Sequence, residues 1–445
     1  MTIARRTWFP IALLAVVAVG FVSFGPPAAG APDARLQQMA PAGAGSGAYE
    51  APAGASATEI EIAKRYETLR RAPDTIAAYV LLGSAYLQHV REVGDPGDYG
   101  RAQAAFEEAS AREPENVDAL IGLGTLALAR HQFSSGLTLG QRAVALAPAS
   151  SRAQGVVVDA LTELGRYDEA VDSAQRMVDL RPDLASLTRI AYQRELHGDI
   201  DGAIEAMIRA FDAAAGAVAE NREFIRVLIG DLFLLKGDRV TAAHVYAATL
   251  SVMPDAAGAH LGLARVALAN GNTPAALDDY RQATQTRPTP EALVAQGEAQ
   301  EAAGLIEDAF TTYGLARAAY GREADNGVNV GLELAVLEAN HGDLNAALDL
   351  ARRAYATQPT VKAADALAWA LYKTGRIDES AGFSAEALRL GSPYASFAFH
   401  AGMIALAQGR SADGQALLGR AIAHASTLSP LDLAAAQAAL ASARN

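Results

Sequence analysis

Apolar residues along most of this chain recur at intervals of three and four, which places them on one face of an α-helix. The first such stretch begins behind Thr58 and Glu61, which fit a capping box, and stops at Pro73-Asp74. Its apolar positions are Ile60, Ile62, Ala63, Tyr66 and Leu69. A last helix is predicted after Ser429-Pro430, since serine is a good N-cap and proline fits the first helical position.

Between these two ends, the helical pattern repeats with a period near 34 residues, which is typical of a helix-turn-helix array. Proline marks the period at Pro114, Pro148, Pro182, Pro254 and Pro288. A small residue keeps the register in the second helix of each unit: Ala102, Gly136, Ala170, Ala203, Ala242, Ala276, Ala309, Ala347, Ser380 and Gly414. From the third unit on, a glycine predicts a left-handed cap on the first helix: Gly165, Gly198, Gly237, Gly271, Gly304, Gly342, Gly375 and Gly409.

The residues at fixed offsets within each unit resemble those of the tetratricopeptide repeat (TPR) family. The first unit carries the pattern at Tyr79, Leu82, Gly83, Tyr86, Ala102, Phe106, Ala109 and Pro114. The fifth carries it at Ile229, Gly230, Phe233, Ala242, Tyr246 and Pro254, and the sixth at Leu263, Ala264, Ala276, Tyr280, Ala283 and Pro288. The resemblance implies an all-α fold: a right-handed α-solenoid of about ten TPR helix-turn-helix units with helical caps.

The chain divides into five predicted segments. Residues 1–31 form a signal peptide or N-terminal membrane anchor, because two arginines precede an apolar run, Ile11 to Phe24, that is short for a stable span. Residues 32–57 are predicted to be an Ala/Gly/Pro-rich linker without a core, since 18 of its 26 residues are Ala, Gly, Pro or Ser. An N-terminal capping helix (58–73), the TPR array (74–428) and a C-terminal capping helix (429–445) follow.

This N-terminal segment predicts export. We expect a periplasmic, cell-surface or secreted protein that is either free or tethered to the membrane by residues 8–24. Membrane contact is expected only through that segment. The sequence leaves cleavage of the signal and the oligomeric state open.

Composition and motifs exclude several classes of function. The net charge of −13 disfavours nucleic acid, and the lack of cysteine excludes thiol chemistry and thiolate zinc sites. The sequence contains no nucleotide-binding glycine loop, hydrolase serine motif, zinc-protease motif or calcium-binding loop. We therefore predict no catalytic residue, no cofactor and no metal, and a protein that is not an enzyme.

In the TPR family the first helices line a concave groove, and the resemblance assigns the groove positions of this chain. Nine of these positions are acidic: Asp118, Asp159, Glu163, Glu195, Asp231, Glu291, Glu298, Glu301 and Asp365. Four are basic: Arg152, Arg265, Lys362 and Lys373. An acid-lined groove favours a neutral or basic protein or peptide. The alternative, that these charges form ordinary solvated helix faces, stays open.

Two groups of groove residues are candidate partner-binding sites. Together with Asp231 and Arg265, the candidates are Arg189, Tyr192 and Glu195 in the fourth unit and Asp365, Trp369, Tyr372 and Lys373 in the ninth. Aromatic and arginine side chains are enriched at binding hot spots. The competing interpretation is that the aromatic residues pack in the helical core.

These features favour a non-catalytic protein-protein interaction scaffold or adaptor outside the cytoplasmic membrane, with a peptide or helix bound in the concave groove. An alternative is the TPR arm of a multi-subunit enzyme such as a glycosyltransferase, which presents substrate to a separate catalytic subunit. A self-associating array is a third interpretation, disfavoured by the C-terminal cap and the net charge.

Overall fold

The computed structural model describes residues 32–45, 48–216 and 219–443, so the predicted signal segment lies outside it. Within those ranges all regular secondary structure is helical. Helix α1 (Pro32–Gln38) and helix α2 (Ala57–Arg71) precede the repeats, and α23 (Pro430–Ser442) follows them. No helix in the described part of the chain has the length and apolar character needed to cross a membrane.

Ten helix pairs lie between α2 and α23, so the fold is an all-α solenoid. The first five pairs are α3 (Ile76–Val93) with α4 (Asp98–Arg112), α5 (Val117–Ala129) with α6 (Phe133–Leu146), α7 (Ser151–Glu163) with α8 (Tyr167–Leu180), α9 (Leu184–Leu196) with α10 (Ile200–Ala213), and α11 (Ala219–Lys236) with α12 (Arg239–Val252). The other five are α13 (Ala257–Ala269) with α14 (Thr273–Thr286), α15 (Pro290–Ala302) with α16 (Ile306–Asp325), α17 (Gly331–His341) with α18 (Leu344–Thr357), α19 (Val361–Lys373) with α20 (Ile377–Ala387), and α21 (Ala395–Ala407) with α22 (Ser411–Ala423).

Small residues allow one aromatic ring to pack between successive first helices. Phe106 of α4 is fully buried, and a methyl group added to Gly83 or Gly122 would lie within 2.8 Å or 2.2 Å of its ring. Tyr246 of α12 occupies the same place beside Gly230 and Gly262. The ring fills the space that the glycines leave, which is why large and small residues alternate at these offsets.

The turn inside each unit follows the predicted glycine pattern with one exception. Of the eight predicted caps, seven have a left-handed φ, and Gly342 instead has φ −155°. In the second unit this position is held by His131, whose φ of 54° is the one positive value outside glycine in the described residues. Each of the five marker prolines follows the end of a second helix by two residues, because proline cannot continue the helix.

Successive turns of the solenoid touch along a seam. The seam joins the turn inside each of the first four units to the turn that precedes the unit six places later, and it joins the turn inside the fifth unit to the segment before the capping helix α23. The contacts are Gly94 with Arg287, Arg130 with Asn329, Tyr167 with Val361, Leu196 with Ser392 and Leu235 with His424. About six units therefore complete one superhelical turn, and the first helices enclose a lumen rather than an open groove.

Segment 32–57 differs from the coreless linker that its composition predicts. Met39 is 1% exposed, and its carbonyl oxygen accepts a hydrogen bond from Oη of Tyr86 at 2.5 Å. Arg35 forms an ion pair with Glu108 at 2.7 Å. The expectation of no core was wrong for this segment because its few large apolar side chains, Met39 among them, pack on the first unit.

The two helical caps lie close to the predicted positions. Ser56 and Glu59, rather than Thr58 and Glu61, form the capping box of α2, so that prediction was wrong by two residues. Ser429 caps α23 by accepting the backbone N–H of Asp432 at 3.1 Å. Helix α23 packs on α21 and α22 and also on α15, so it covers the last unit and part of the lumen wall.

Candidate functional site

The lumen holds a row of adjoining cavities between the first helices. A cavity of about 330 Å³ beside α11 and one of about 500 Å³ share Asp231 and Arg265. The second adjoins a cavity of about 650 Å³ through Tyr192, Glu195 and Tyr394. We refer to this largest one as the lumen cavity, and it is lined by α9, α15, α17, α19, α21 and α23 together with Tyr320 of α16.

Acidic side chains dominate the lumen cavity. Its charged lining residues are Glu195, Glu291, Glu298, Glu333, Asp365 and Asp432 against Lys362 and His400. Burial raises the pKa of Glu298, Glu333 and Asp432, since desolvation penalises the carboxylate form. Oε2 of Glu333 is buried and has no hydrogen-bond partner in the described part of the protein. Glu298 and Glu333 each lie near a histidine, His341 at 3.4 Å and His131 at 3.8 Å, and a further cation in this cavity would favour the ionised forms of both carboxyls.

The fourth-unit candidates Tyr192 and Glu195 line the lumen but already contact the next superhelical turn. Nζ of Lys362 lies 2.9 Å from Oη of Tyr192. Oη of Tyr394 donates to Oε1 of Glu195 at 2.9 Å. Burial raises the pKa of Glu195, and the Tyr394 hydrogen bond only partly offsets this effect. The sequence places these two residues on the inner face, while their partners come from units nine and ten.

Arg189 forms an ion pair between two neighbouring units. Its guanidinium binds the carboxylate of Asp159 in the third unit through two hydrogen bonds of 2.8 and 2.5 Å. Such a bidentate pair fixes the side chain between neighbouring units. Arg189 therefore bridges units three and four, and its predicted role in binding a partner stays a prediction.

Asp231 and Arg265 face the lumen as predicted by their positions, and they face each other. The distance between Oδ1 of Asp231 and Nη1 of Arg265 is 3.3 Å. The same oxygen accepts a hydrogen bond from Oη of Tyr246 at 2.7 Å. Burial raises the pKa of Asp231, while Arg265 and Tyr246 act in the opposite direction. The two side chains therefore offset each other's charge, while Glu92, Glu220, Glu223 and Asp255 also line the adjoining 330 Å³ cavity.

In the ninth-unit group, the structure agrees with the competing interpretation, in which the aromatic residues pack in the core. Trp369 is 5% exposed and lies in a stack between Tyr372, 5.0 Å away, and His400, 4.2 Å away. Nε1 of Trp369 donates to Asn340 at 2.7 Å, which satisfies its buried polar atom. Tyr372 is half-buried, as part of the core stack.

The polar members of this group split between core and surface. Asp365 is buried and lies 2.9 Å from Nδ1 of His400. Burial alone would lower the pKa of His400, but the carboxylate of Asp365 more than offsets this and raises it. Lys373 is exposed, with Nζ 5.5 Å from the centre of the Trp369 ring. The group stabilises the ninth and tenth units, and any role in binding a partner stays a prediction.

Sequence reasoning missed three residues that complete the site. Tyr394 and His400 belong to the tenth unit. The repeat spacing does not indicate that Tyr394 contacts the fourth unit and His400 the ninth. Asp432 lies on α23 and enters the lumen because that helix packs on α15. In the described ranges, no group of three or more histidine, aspartate or glutamate side chains is arranged to hold a metal ion.

Comparison with protein families matches two separate parts of the chain. One family model described as "Tetratricopeptide repeat" matches residues 95–157. A second model with the same description matches residues 227–290 and 263–325. No curated protein matches the sequence.

Solved structures that resemble this chain at low sequence identity include the following three. A thermophilic TPR protein of Thermus thermophilus is 20% identical over 44% of this chain and all of that one, with a TM-score of 0.39. PilF of Pseudomonas aeruginosa is 18% identical over 48% of this chain and 93% of that one, with a TM-score of 0.37. The human IFIT1 dimer with m7Gppp-AAAA is 17% identical over 74% and 77%, with a TM-score of 0.48. None of these similarities bears on what this chain binds.

Proposed function

We propose that this chain, whose repeats match tetratricopeptide repeat models and so suggest a protein-protein interaction scaffold, binds an extended, neutral or basic segment of a partner protein in its lumen. In this proposal the protein is a non-catalytic scaffold that holds its partner outside the cytoplasmic membrane. The segment occupies the lumen cavity and contacts side chains from units seven to ten. The first helices supply these contacts, and the second helices keep the solenoid rigid.

The observation that supports this proposal is the excess of carboxylates in a cavity of about 650 Å³. Glu298 and Glu333 lie on different first helices of this cavity, and burial raises the pKa of both. A lysine or arginine of the partner would favour their ionised forms and offset the cost of desolvation. An acidic segment would add repulsion in the same space. Charge therefore selects the partner, while apolar wall residues such as Val294 and Val336 contact its other side chains.

The proposed location depends on residues 1–31, which precede the described structure. Arg5-Arg6 followed by the apolar run Ile11 to Phe24 supports export. N-terminal sequencing of the protein recovered from the envelope fraction tests this point and also decides between a cleaved signal and an anchor. Recovery of all of the protein from the cytoplasm with its N-terminus intact contradicts it.

Peptide binding tests the lumen site. Fluorescent peptides of equal length, rich in lysine, rich in glutamate or neutral, are titrated with the full-length protein while anisotropy is measured. We expect the lysine peptide to bind at least about tenfold more tightly than the glutamate peptide, and salt to weaken its binding. Equal affinity for the lysine and glutamate peptides contradicts the proposal.

Two variants that each lack one carboxylate charge test whether the peptide binds in the lumen cavity. Glu298→Gln and Glu333→Gln each remove one carboxylate with little change in shape, and we expect each to weaken lysine-peptide binding about threefold or more. Glu115→Gln, on the exposed turn before α5, removes the same charge elsewhere and serves as the matched control. If the control weakens binding as much as the lumen variants, only net charge matters and the site is misplaced.

A further inference from the structure

One lysine of the lumen wall is bound by the chain itself. Lys362 lies at the start of α19 in the ninth unit, and its side chain reaches across the seam to the fourth unit. Nζ is 2.9 Å from Oη of Tyr192 and 5.3 Å from the centre of the Tyr192 ring. The ring centre of Tyr394, from the tenth unit, is 6.0 Å away. The ammonium group therefore hydrogen-bonds to the phenol oxygen of Tyr192 at the edge of that ring and lies at the outer limit of contact with the ring of Tyr394.

Charge around this group adds to the aromatic contacts. Partial desolvation by the lumen wall would by itself lower the pKa of Lys362, but Tyr192 and the carboxylates of Glu163 and Glu195 more than offset this and raise it. Oε1 of Glu195 is held in place by Oη of Tyr394. A phenol oxygen with a nearby aromatic ring and carboxylate can bind a primary ammonium ion through a hydrogen bond and charge attraction. The chemistry of the surroundings is thus that of a lysine-binding site.

The ammonium group is placed where another cation can reach it. Lys362 lines the lumen cavity and remains exposed to its solvent, unlike its neighbours Val361 and Ala363, which are fully buried. Tyr192, Glu195 and Tyr394 line the same cavity. A ligand that enters this cavity therefore meets the binding groups and their present occupant together.

We propose that Tyr192, Tyr394 and Glu195 form a binding site for a primary alkylammonium group, and that Lys362 occupies it as an internal competitor. The inference rests on the proposed binding of basic segments in the lumen and names one position within it. A lysine of the partner, or a free polyamine of the same chemistry, displaces Lys362 and takes over its contacts. Because Lys362 occupies the site in the free protein, the apparent affinity for a ligand equals the intrinsic affinity multiplied by the fraction of molecules in which the site is free.

Chemical rescue tests the site with a probe of known structure. Lys362→Ala removes three methylene groups and the amine, and n-butylammonium supplies an ammonium group on an alkyl chain one carbon longer than the part removed. We expect about 50–100 mM n-butylammonium chloride, compared with sodium chloride at equal ionic strength, to raise the Tm of full-length Lys362→Ala by at least about 2 °C and that of wild type by less than half as much. n-Butanol, which has the same length without the charge, serves as the ligand control.

Two further variants make the rescue specific. Lys236→Ala removes an exposed lysine that pairs with Asp201, so it changes the charge equally without opening the site. Adding Tyr192→Phe and Glu195→Gln to Lys362→Ala removes the phenol oxygen and the carboxylate that would hold the probe. Loss of the rescue in this triple variant supports the site. Equal Tm shifts in wild type, Lys236→Ala and Lys362→Ala overturn it.

Peptide titrations connect the site to the proposed function. We expect Lys362→Ala to bind the lysine peptide about tenfold more tightly than wild type, because the internal competitor is gone. Lys362→Met retains an aliphatic side chain at the seam and removes the ammonium group. It allows the same comparison of lysine-peptide affinity with wild type if the alanine variant is unfolded. Spermidine in place of the peptide distinguishes a free polyamine from a protein lysine as the ligand.

The two proposals fail in different ways. If wild type binds the lysine peptide through Glu298 and Glu333 but neither Lys362 variant gains affinity or rescue, the lumen function stands and the internal competitor is overturned. If n-butylammonium stabilises Lys362→Ala alone while no variant binds the peptide, the ammonium site stands and the peptide function is overturned.

Discussion

Tyr167 in the third unit and Val361 in the ninth are joined across 194 positions of sequence, since Oη of Tyr167 accepts the backbone N–H of Val361 at 3.0 Å. Both residues are buried, so Tyr167→Phe leaves the Val361 N–H without a partner. We expect unfolding free energy to fall by about 1–3 kcal/mol in urea titrations. Tyr49→Phe, whose hydroxyl forms only an exposed bond, is the control and is expected to change stability by less than about 0.5 kcal/mol. Equal effects from both variants would show that the seam bond adds nothing.

A pair of glycine variants separates seam packing from backbone strain. Gly165 and Gly271 have nearly the same φ, 72° and 76°. A methyl group on Gly165 would lie 2.3 Å from the carbonyl oxygen of Pro359, whereas one on Gly271 meets open space. We expect Gly271→Ala to cost about 1–2 kcal/mol from the left-handed conformation alone, and Gly165→Ala at least about 2 kcal/mol more. Thermal or urea unfolding measures both, and similar losses would contradict a close seam.

Trp369 allows a test of whether its group is structural. Its ring lies between Tyr372 and His400 in the core, so Trp369→Ala is expected to destabilise the protein by about 3–5 kcal/mol. Trp369→Phe, which retains an aromatic ring, is expected to cost less and to leave peptide affinity within about twofold of wild type. Unfolding curves and anisotropy titrations of the same samples separate the two effects. A folded Trp369→Phe variant that no longer binds the peptide would restore the hot-spot hypothesis.

Glu323 predicts a pH dependence of stability. Burial, followed by the negative charge of Glu291, raises the pKa of Glu323 to about 7. Its contribution to stability is present below its ordinary pKa near 4.5 and is lost as the pH rises through 7. We therefore expect Glu323→Gln to be more stable than wild type by on the order of 1–2 kcal/mol at pH 8.5, allowing for solvent screening, and equal to it at pH 4. Denaturant titrations at both pH values measure this, with the exposed Glu115→Gln as a control that should show no such difference.

The period of the sequence was sufficient to locate the repeats because each of its markers acts locally. Phe106 needs the glycines of two adjacent first helices, and proline ends the helix that it follows. The capping box was placed two residues late because Ser56-Glu59 and Thr58-Glu61 both fit the pattern. Such local choices are decided by the packing of the helix they start.

The seam and the candidate site depend on distances that no local pattern contains. Lys362 reaches Tyr192, and Tyr394 reaches Glu195, only because small rotations between units add up to a turn of about six units. The resemblance to the TPR family places Tyr192 on the inner face, but it does not indicate which residues of a later unit lie opposite. The prediction for segment 32–57 was wrong for a different reason. Its average composition is dominated by small residues and gives little weight to the few large side chains that pack on the first unit.

The seam also changes how the array should lose its structure. In a solenoid whose units contact only their neighbours, the end units can fray and stability grows as a sum of nearest-neighbour interactions. Here the fifth unit is tied to the C-terminal residues His424 and Ser426, at sequence separations of 189 and 192 residues. Loosening the last unit therefore breaks bonds in the middle of the chain, so the superhelix unfolds in one cooperative event rather than in a series of steps from either end.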